Sequence, residues 1–475
     1  MSFSTKWVFG LLVYGVISFV LNGTVIAQSG YHVVVHVENY SNDTLLLGNY
    51  FGRAQYVKDT ALRKDNHFVF EGEEPLTPGM YMILMQPDHQ FVQVIIEKNE
   101  QNFEVQFDYR DIQNSLKFEH APSNDHFLEY VRFLSSLRPR AEAIKTEMSS
   151  GDLSDEKKAS LESQLLELDK MVKSTQDSLV RKHPNEFISV MIRSQKEVEI
   201  PDFAASGDSL QQLRYAYYFD HYWQNTDLSD IRLLYSPFLF EKVTTYVEKM
   251  TPQIPELINS AIDTVLKKLQ PGTEGFKYFL AYFINAYSRS EYIGMDAIFV
   301  HLVKQYYEKG LAPWVGEENL SKMVKEAHTL DPILIGKVAP DITVYDSLGQ
   351  AISLHAIKAN ILVLIFWAPD CGHCKKSMPE VIDFYKKYKD KGVKVLAICT
   401  KLMDKEKTCW DMVHEKGMDV FYNASDKYLQ SRFKQIYDVK KTPKIFVLDQ
   451  DKIIISKNIG PKQLGTLMGK LLAEQ

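Results

Sequence analysis

Between Tyr31 and about Lys117, short apolar and β-branched runs alternate with turn clusters. His32–Val37, Phe68–Phe70, Tyr81–Leu84 and Phe91–Ile96 read as strands, punctuated by Asn42-Asp43, Pro78-Gly79 and Pro87-Asp88. This spacing predicts a small antiparallel β-sandwich. After Pro122 the period turns helical. Phe127, Val131 and Leu134 fall on one face and, beyond the Ser149-Ser150-Gly151 break, Leu161, Leu165, Leu168 and Val172 on another, the pattern of an antiparallel helical hairpin. Ile258, Ile262, Val265 and Leu269 continue it, followed by an aromatic run from Phe276 to Tyr307. Those rings read as core, because helices apolar on several sides bury themselves against other helices; the rival reading is a binding groove. The Glu/Lys-rich stretch from Asp155 to Lys173 reads as a solvated helix face.

A third change comes near Gly336. Ile361–Phe366 is apolar throughout, as is most of Val393–Ile398, and a helical stretch from about Cys374 to Lys389 separates them. Strand, helix, strand at this spacing predicts a βαβ unit and a parallel sheet. A helix near Asp426–Tyr437, strands Lys444–Leu448 and Ile453–Ser456 joined by a Gln450-Asp451 turn, and a final helix Pro461–Leu472 are expected to follow. The expected organisation is multidomain: a signal peptide over 1–27, an N-terminal antiparallel β-sandwich over 28–120, a central α-helical region over 121–335 and a C-terminal α/β domain over 336–475. A chain of 475 residues exceeds one hydrophobic core.

The signal peptide is expected because Lys6 is followed by an uncharged stretch, Trp7 to Leu21, and then by Asn22-Gly23-Thr24 and the small-residue site Val25-Ile26-Ala27. The same run approaches the ~20 apolar residues that span a bilayer, so a retained N-terminal anchor is the alternative. Either way the chain is expected in the periplasm or cell envelope. No cysteine lies near this site, which argues against a lipidated N-terminus. A formal net charge of −6 and the lack of a dense basic cluster argue against nucleic acid as a partner.

All four cysteines, Cys371, Cys374, Cys399 and Cys409, fall in the last quarter of the chain. A framework of structural disulfides would spread them, so this clustering points to local chemistry. Cys371 stands where the first strand of the βαβ unit gives way to its helix. A sulfur there faces unpaired amides and the positive end of the helix dipole, which favour the thiolate and mark Cys371 as the attacking group. Cys374 lies one turn on, with Cα atoms roughly 5 Å apart, within disulfide range, and can resolve a mixed disulfide. Zinc uses the same Cys-x-x-Cys spacing but needs two further ligands; Cys399 and Cys409 are ten residues apart and His373 is isolated, so no metal is expected. For Cys399 and Cys409 themselves, buried free thiols are expected, with an auxiliary redox pair as the alternative.

Val338-Ala339-Pro340-Asp341, Phe366-Trp367-Ala368-Pro369, Cys371-Gly372-His373-Cys374-Lys375-Lys376, Met378-Pro379 and Lys441-Thr442-Pro443-Lys444-Ile445-Phe446 together resemble the TlpA/ResA branch of the thioredoxin-like family, over about Ile335 to Gln475. The resemblance implies a thioredoxin fold and thiol:disulfide exchange with other exported proteins, without a bound cofactor. It implies a cis-proline at Pro443 beside the cysteine pair, with Thr442, Trp367 and His373 completing the substrate surface. Electrons would come from a membrane-embedded thiol carrier. The chain departs from the family in two places: Ile365 stands where thioredoxins bury a carboxylate, and Ser377 where TlpA/ResA-type proteins often carry a glutamate. Asp370 and Glu380 are the nearby acids. Gly372-His373 is also the dipeptide of protein disulfide isomerases, whose potential is about −180 mV against about −270 mV for thioredoxin, so reductant and isomerase both stay open. A surface binding or assembly protein with a residual redox domain, and a dedicated reductant in cytochrome c maturation, are the alternative readings.

Overall fold

The protein is described by a computed structural model covering residues 30–151, 153–401 and 405–473. The expected signal segment, 1–27, lies outside the described residues. Two compact units divide the chain. One holds residues up to 48 and 57–135; the other holds 49–56 and 136–475.

The β-rich region lies mostly in the first unit, its residues 49–56 belonging to the second. Its strands are β1 (Tyr31–Glu38), β2 (Thr44–Phe51), β3 (Ala54–Leu62), β4 (Phe68–Gly72), β5 (Gly79–Met85), β6 (Gln90–Ile96), β7 (Asn102–Asp108) and β8 (Lys117–Glu119). They form two four-stranded sheets, β4-β1-β7-β8 and β3-β2-β5-β6. Val33 and Val35, Leu45 and Leu47, Phe103 and Val105 alternate inward and share one core with Tyr81, Ile83 and Val94. β1 pairs antiparallel with β4, β5 with β6 and β7 with β8, but β1 and β7 run parallel, from His32 beside Asn102 to Glu38 beside Asp108. Sequence pattern alone could not show this, because the pairing joins strands far apart in the chain.

In the second unit, the helix Pro122–Ser149 contributes its second half. Leu137, Ala141, Ile144 and Met148 meet Leu161, Leu165 and Leu168 of the helix Asp155–Lys182. The packed residues therefore lie further along the helix than expected, and Val131 is exposed. Ile258, Ile262, Val265 and Leu269 are buried as the period required. The aromatic run of the helix Glu274–Ser288 divides between the two readings. Phe276, Phe279 and Phe283 are fully buried. Tyr278 and Tyr282 are half-buried and line a cleft of about 790 Å³ with Phe51, Arg53, Tyr56 and Lys277.

Residues 336 onward build a seven-stranded sheet in the order β10-β9-β13-β12-β11-β14-β15. Its strands are β9 (Thr343–Tyr345), β10 (Ala351–Ser353), β11 (Ile361–Trp367), β12 (Val393–Cys399), β13 (Tyr422–Ser425), β14 (Lys444–Asp449) and β15 (Ile454–Lys457). β11 lies at the centre, parallel to β12 and antiparallel to β14, and all seven of its residues are buried. Alternation sends Ile361, Val363, Ile365 and Trp367 into one core with the helix Gly372–Tyr388, and Leu362, Leu364 and Phe366 into another with Phe433, Tyr437 and Phe446. Each such side chain contributes roughly 1.5–3 kcal/mol of burial. The helix ends in a short 3₁₀ turn closed by Gly392, whose φ of +79° suits glycine and where a Cβ would strike the Asn360 side chain.

The helical region is fastened to this domain through Lys457. Its side chain is 2% exposed, bonds the Asp296 carboxylate and donates to the Ile333 carbonyl at 2.8 Å. The expected helix over Asp426–Tyr437 shrinks to Phe433–Ile436. Asp426 Oδ1 accepts from the Gln430 and Ser431 amides at 3.0 and 3.2 Å, and Leu429 and Arg432 take positive φ, so a side-chain-capped turn replaces the first two helical turns.

Candidate active site

The apolar run of β11 carries the chain across the sheet and releases it at Ala368. Pro369 and Asp370 turn it, and the helix Gly372–Tyr388 begins with Cys371 as its N-cap. The Cys371 sulfur accepts the Cys374 amide at 3.3 Å, the bond a serine or aspartate makes at other helix starts. Its thiol donates to the Thr442 carbonyl at 3.2 Å. The Thr442–Pro443 peptide is cis.

The two cysteines are free thiols in different surroundings. Partial burial works against the Cys371 thiolate, but hydrogen bonding from the Thr442 side chain and the Cys374 and His373 amides outweighs it, and the thiol lies below its ordinary value. Cys374 is fully buried, and desolvation pushes its thiol up to about 12. The Cys371 sulfur thus gives up its proton more readily than an ordinary thiol, while burial holds Cys374 protonated.

The remaining expected residues are placed unequally. Thr442 and Pro443 are half-buried beside Cys371, and the His373 side chain is exposed on the first helical turn. Trp367, expected on the substrate surface, is 1% exposed and packs in the core. The period of β11 points its ring inward, and its indole Nε1 is buried without a hydrogen-bond partner. Ile365 is fully buried in the same core as Cys374, so an apolar wall occupies the place of the buried carboxylate. Asp370 points to solvent and pairs with Lys401 at 2.6 Å, and Glu380 is exposed. Neither acid is hydrogen-bonded to Cys374.

Cys399 and Cys409 are not free thiols but a disulfide with Cα atoms 6.2 Å apart. The expectation of buried free cysteines is corrected: both are buried, yet the helix Lys407–Lys416 brings Cys409 back against the end of β12. That helix was not read in the sequence. Sequence reasoning also missed Thr400 and Lys401, whose bonds to Trp367 and Asp370 require β11 and β12 to be neighbours.

A central β11 flanked by β12 and β14, with a Cys-x-x-Cys pair heading a helix against a cis-proline turn, defines a thioredoxin-fold dithiol oxidoreductase. Residues 334–467 match the Redoxin family model. Residues 155–329 and 31–127 match two families described only as domains of unknown function, DUF5106 and DUF4369. The thiol-disulfide oxidoreductase ResA of Bacillus thuringiensis (strain Al Hakam) is 33% identical over 140 residues, 29% of this chain and 76% of that protein. Among solved structures, a domain of a possible thiol-disulfide isomerase from Cytophaga hutchinsonii is 31% identical, covering 30% of this chain and 95% of that one, with a TM-score of 0.28. A thioredoxin-like protein from Bacteroides caccae covers 59% of this chain and 99% of that one at 18% identity, with a TM-score of 0.42. The chain belongs to the TlpA/ResA-like family of thiol-disulfide oxidoreductases.

Proposed function

We propose that the protein is exported to the periplasm or cell envelope and exchanges disulfides with other exported proteins, as a reductant or isomerase. Cys371 is the nucleophile and Cys374 the resolving thiol. The Cys371 thiolate attacks a client disulfide, forms a mixed disulfide and releases one client thiolate. Cys374, once it gives up its proton, attacks the Cys371 sulfur, closes the Cys371–Cys374 disulfide and releases the second client thiolate. The client gains two electrons, and a membrane-embedded thiol donor returns the pair to the dithiol. Thr442 and Pro443 supply the surface along which the client chain lies, and His373 borders it. A client approaching from solvent meets Cys371 first, because Cys374 is covered.

The observation that carries this reading is the unequal ionisation of two free thiols one helical turn apart, one below its ordinary value and one pushed up to about 12. The exported setting rests on the leader-like pattern from Lys6 to Ala27. Insulin reduction and refolding of scrambled ribonuclease by the mature chain test the activity. Cys371→Ser should abolish both, and Cys374→Ser should trap a mixed disulfide on Cys371. Equal rates for parent and Cys371→Ser would sink the reading.

A further inference from the structure

The Cys399–Cys409 disulfide has no part in the exchange steps above. It is screened from external thiols, both cysteines being 1% exposed. Its place explains what it does. The bond ties the end of β12 to the helix Lys407–Lys416, and the two residues that follow Cys399 reach across to the stretch leading into the nucleophile. The Thr400 amide and hydroxyl both donate to the Trp367 carbonyl, at 2.8 and 3.1 Å. The Lys401 ammonium bonds Asp370 Oδ2 at 2.6 Å. Asp370 immediately precedes Cys371.

A carboxylate beside a thiolate is a repulsive neighbour and disfavours ionisation of the sulfur. Paired with an ammonium it becomes one end of a short dipole, whose field at a third group is much weaker. The Asp370 side chain is 68% exposed and that of Lys401 26%, so the lysine is the more anchored partner. The other charged or titratable groups around this turn are Lys405, whose charge also acts on Asp370; His373 and Lys375 on the first turn of the redox helix; and Lys441 ahead of the cis-proline. None of these forms a hydrogen bond to Asp370 among the described residues.

We propose that Lys401 is a positioning residue for the nucleophile: seated by the Cys399–Cys409 disulfide, its ammonium neutralises Asp370 and so keeps the Cys371 sulfur available as an anion. This deepens the preceding reading and rests on Cys371 being the attacking thiol. The second disulfide stays oxidised while the Cys371/Cys374 pair turns over, and acts on that pair only through where it holds the end of β12.

The test is the rate of iodoacetamide modification of Cys371 against pH, followed by mass spectrometry on the mature chain in a Cys374→Ala background, which needs no reductant that would open Cys399–Cys409. Lys401→Met should raise the midpoint by roughly half a pH unit, about a threefold loss of thiolate below the midpoint. Adding Asp370→Asn to Lys401→Met should bring it back, which loss of packing alone would not do. Asp370→Asn alone should lower it. Cys399→Ser/Cys409→Ser should shift the midpoint in the same direction as Lys401→Met, and 1 M salt should shrink every shift. An unchanged midpoint in Lys401→Met, or no recovery in the double variant, overturns the proposal, and these arms stand even if the double-serine chain does not fold. A parent Cys371 that titrates like a free thiol would instead overturn the assignment of the nucleophile.

Discussion

The Cys371 sulfur lies 3.2 Å from the carbonyl oxygen of Thr442, a residue 71 positions away in the chain. As a thiol the sulfur donates to that oxygen and accepts the Cys374 amide, and hydrogen bonding with Cys374 and Thr442 favours the thiolate. The cis-proline turn therefore meets the Cys371 sulfur, and loss of the proton ends the donation to Thr442 while the Cys374 amide still holds the sulfur.

The two thiols should be separable by pH. With the Cys371 thiol below its ordinary value and Cys374 pushed up to about 12, iodoacetamide between pH 7 and 9 should add once to the reduced protein, at Cys371. Peptide mapping of the alkylated chain checks this; substantial labelling of Cys374 in that window would contradict it.

Among the described residues no carboxylate is hydrogen-bonded to Cys374: Ile365 is apolar and buried, and Asp370 is engaged with Lys401. Resolution of the mixed disulfide should therefore be slow at neutral pH and accelerate with hydroxide. Ser377→Glu places a carboxylate one helical turn after Cys374 and should speed that step by about a hundredfold, the low end of the usual range for general-base assistance. Stopped-flow release of a client thiol measures it, and an unchanged rate would show that deprotonation of Cys374 does not limit turnover.

Lys457 joins the helical region to the redox domain at a site 2% exposed, with Asp296 as its carboxylate partner. Asp296→Ala should cost about 3–5 kcal/mol, because an ammonium stays buried with the Ile333 carbonyl as its remaining hydrogen-bond partner among the described residues. Asp296→Ala/Lys457→Met should recover most of that loss. Urea midpoints of the three chains decide the matter.

Acid sensitivity should have one source in the helical region at Asp263. Burial opposes its charge, but hydrogen bonds from His301 and Tyr306 outweigh this and hold its carboxyl below the usual carboxylate value. The folded value is depressed, so this arrangement stabilises the fold above the unfolded value of about 3.9, and the stabilisation disappears as pH falls through the folded one. Asp263→Asn should melt earlier than the parent at pH 6, and the gap should close on acidification below about pH 4. A gap that stays constant from pH 6 to 2.5 would show that the carboxylate charge contributes nothing.

Much of this was legible in the chain because it depends on neighbours a few residues apart. The seven apolar residues of β11 demanded a strand buried on both faces, the i, i+3 spacing of Cys371 and Cys374 put both on one helical turn, and the 3.6-residue period of Ile258, Ile262, Val265 and Leu269 selected a buried face. The same logic failed over Asp426–Arg432, where a local apolar pattern was overruled by one carboxylate capping two amides.

What only the tertiary structure decided are the relations between segments that meet by folding. Local pattern could not reveal that β1 pairs parallel with β7, that Cys409 returns to Cys399, that the Trp367 ring is consumed by the core, or that Lys401 lies against Asp370. The i, i+3 spacing at a strand-to-helix junction marked the cysteine pair; periodicity states which face of an element is apolar, and from that the β-rich, helical and α/β segments follow. It does not state which other element covers that face, and the partners of each side chain are set by that choice.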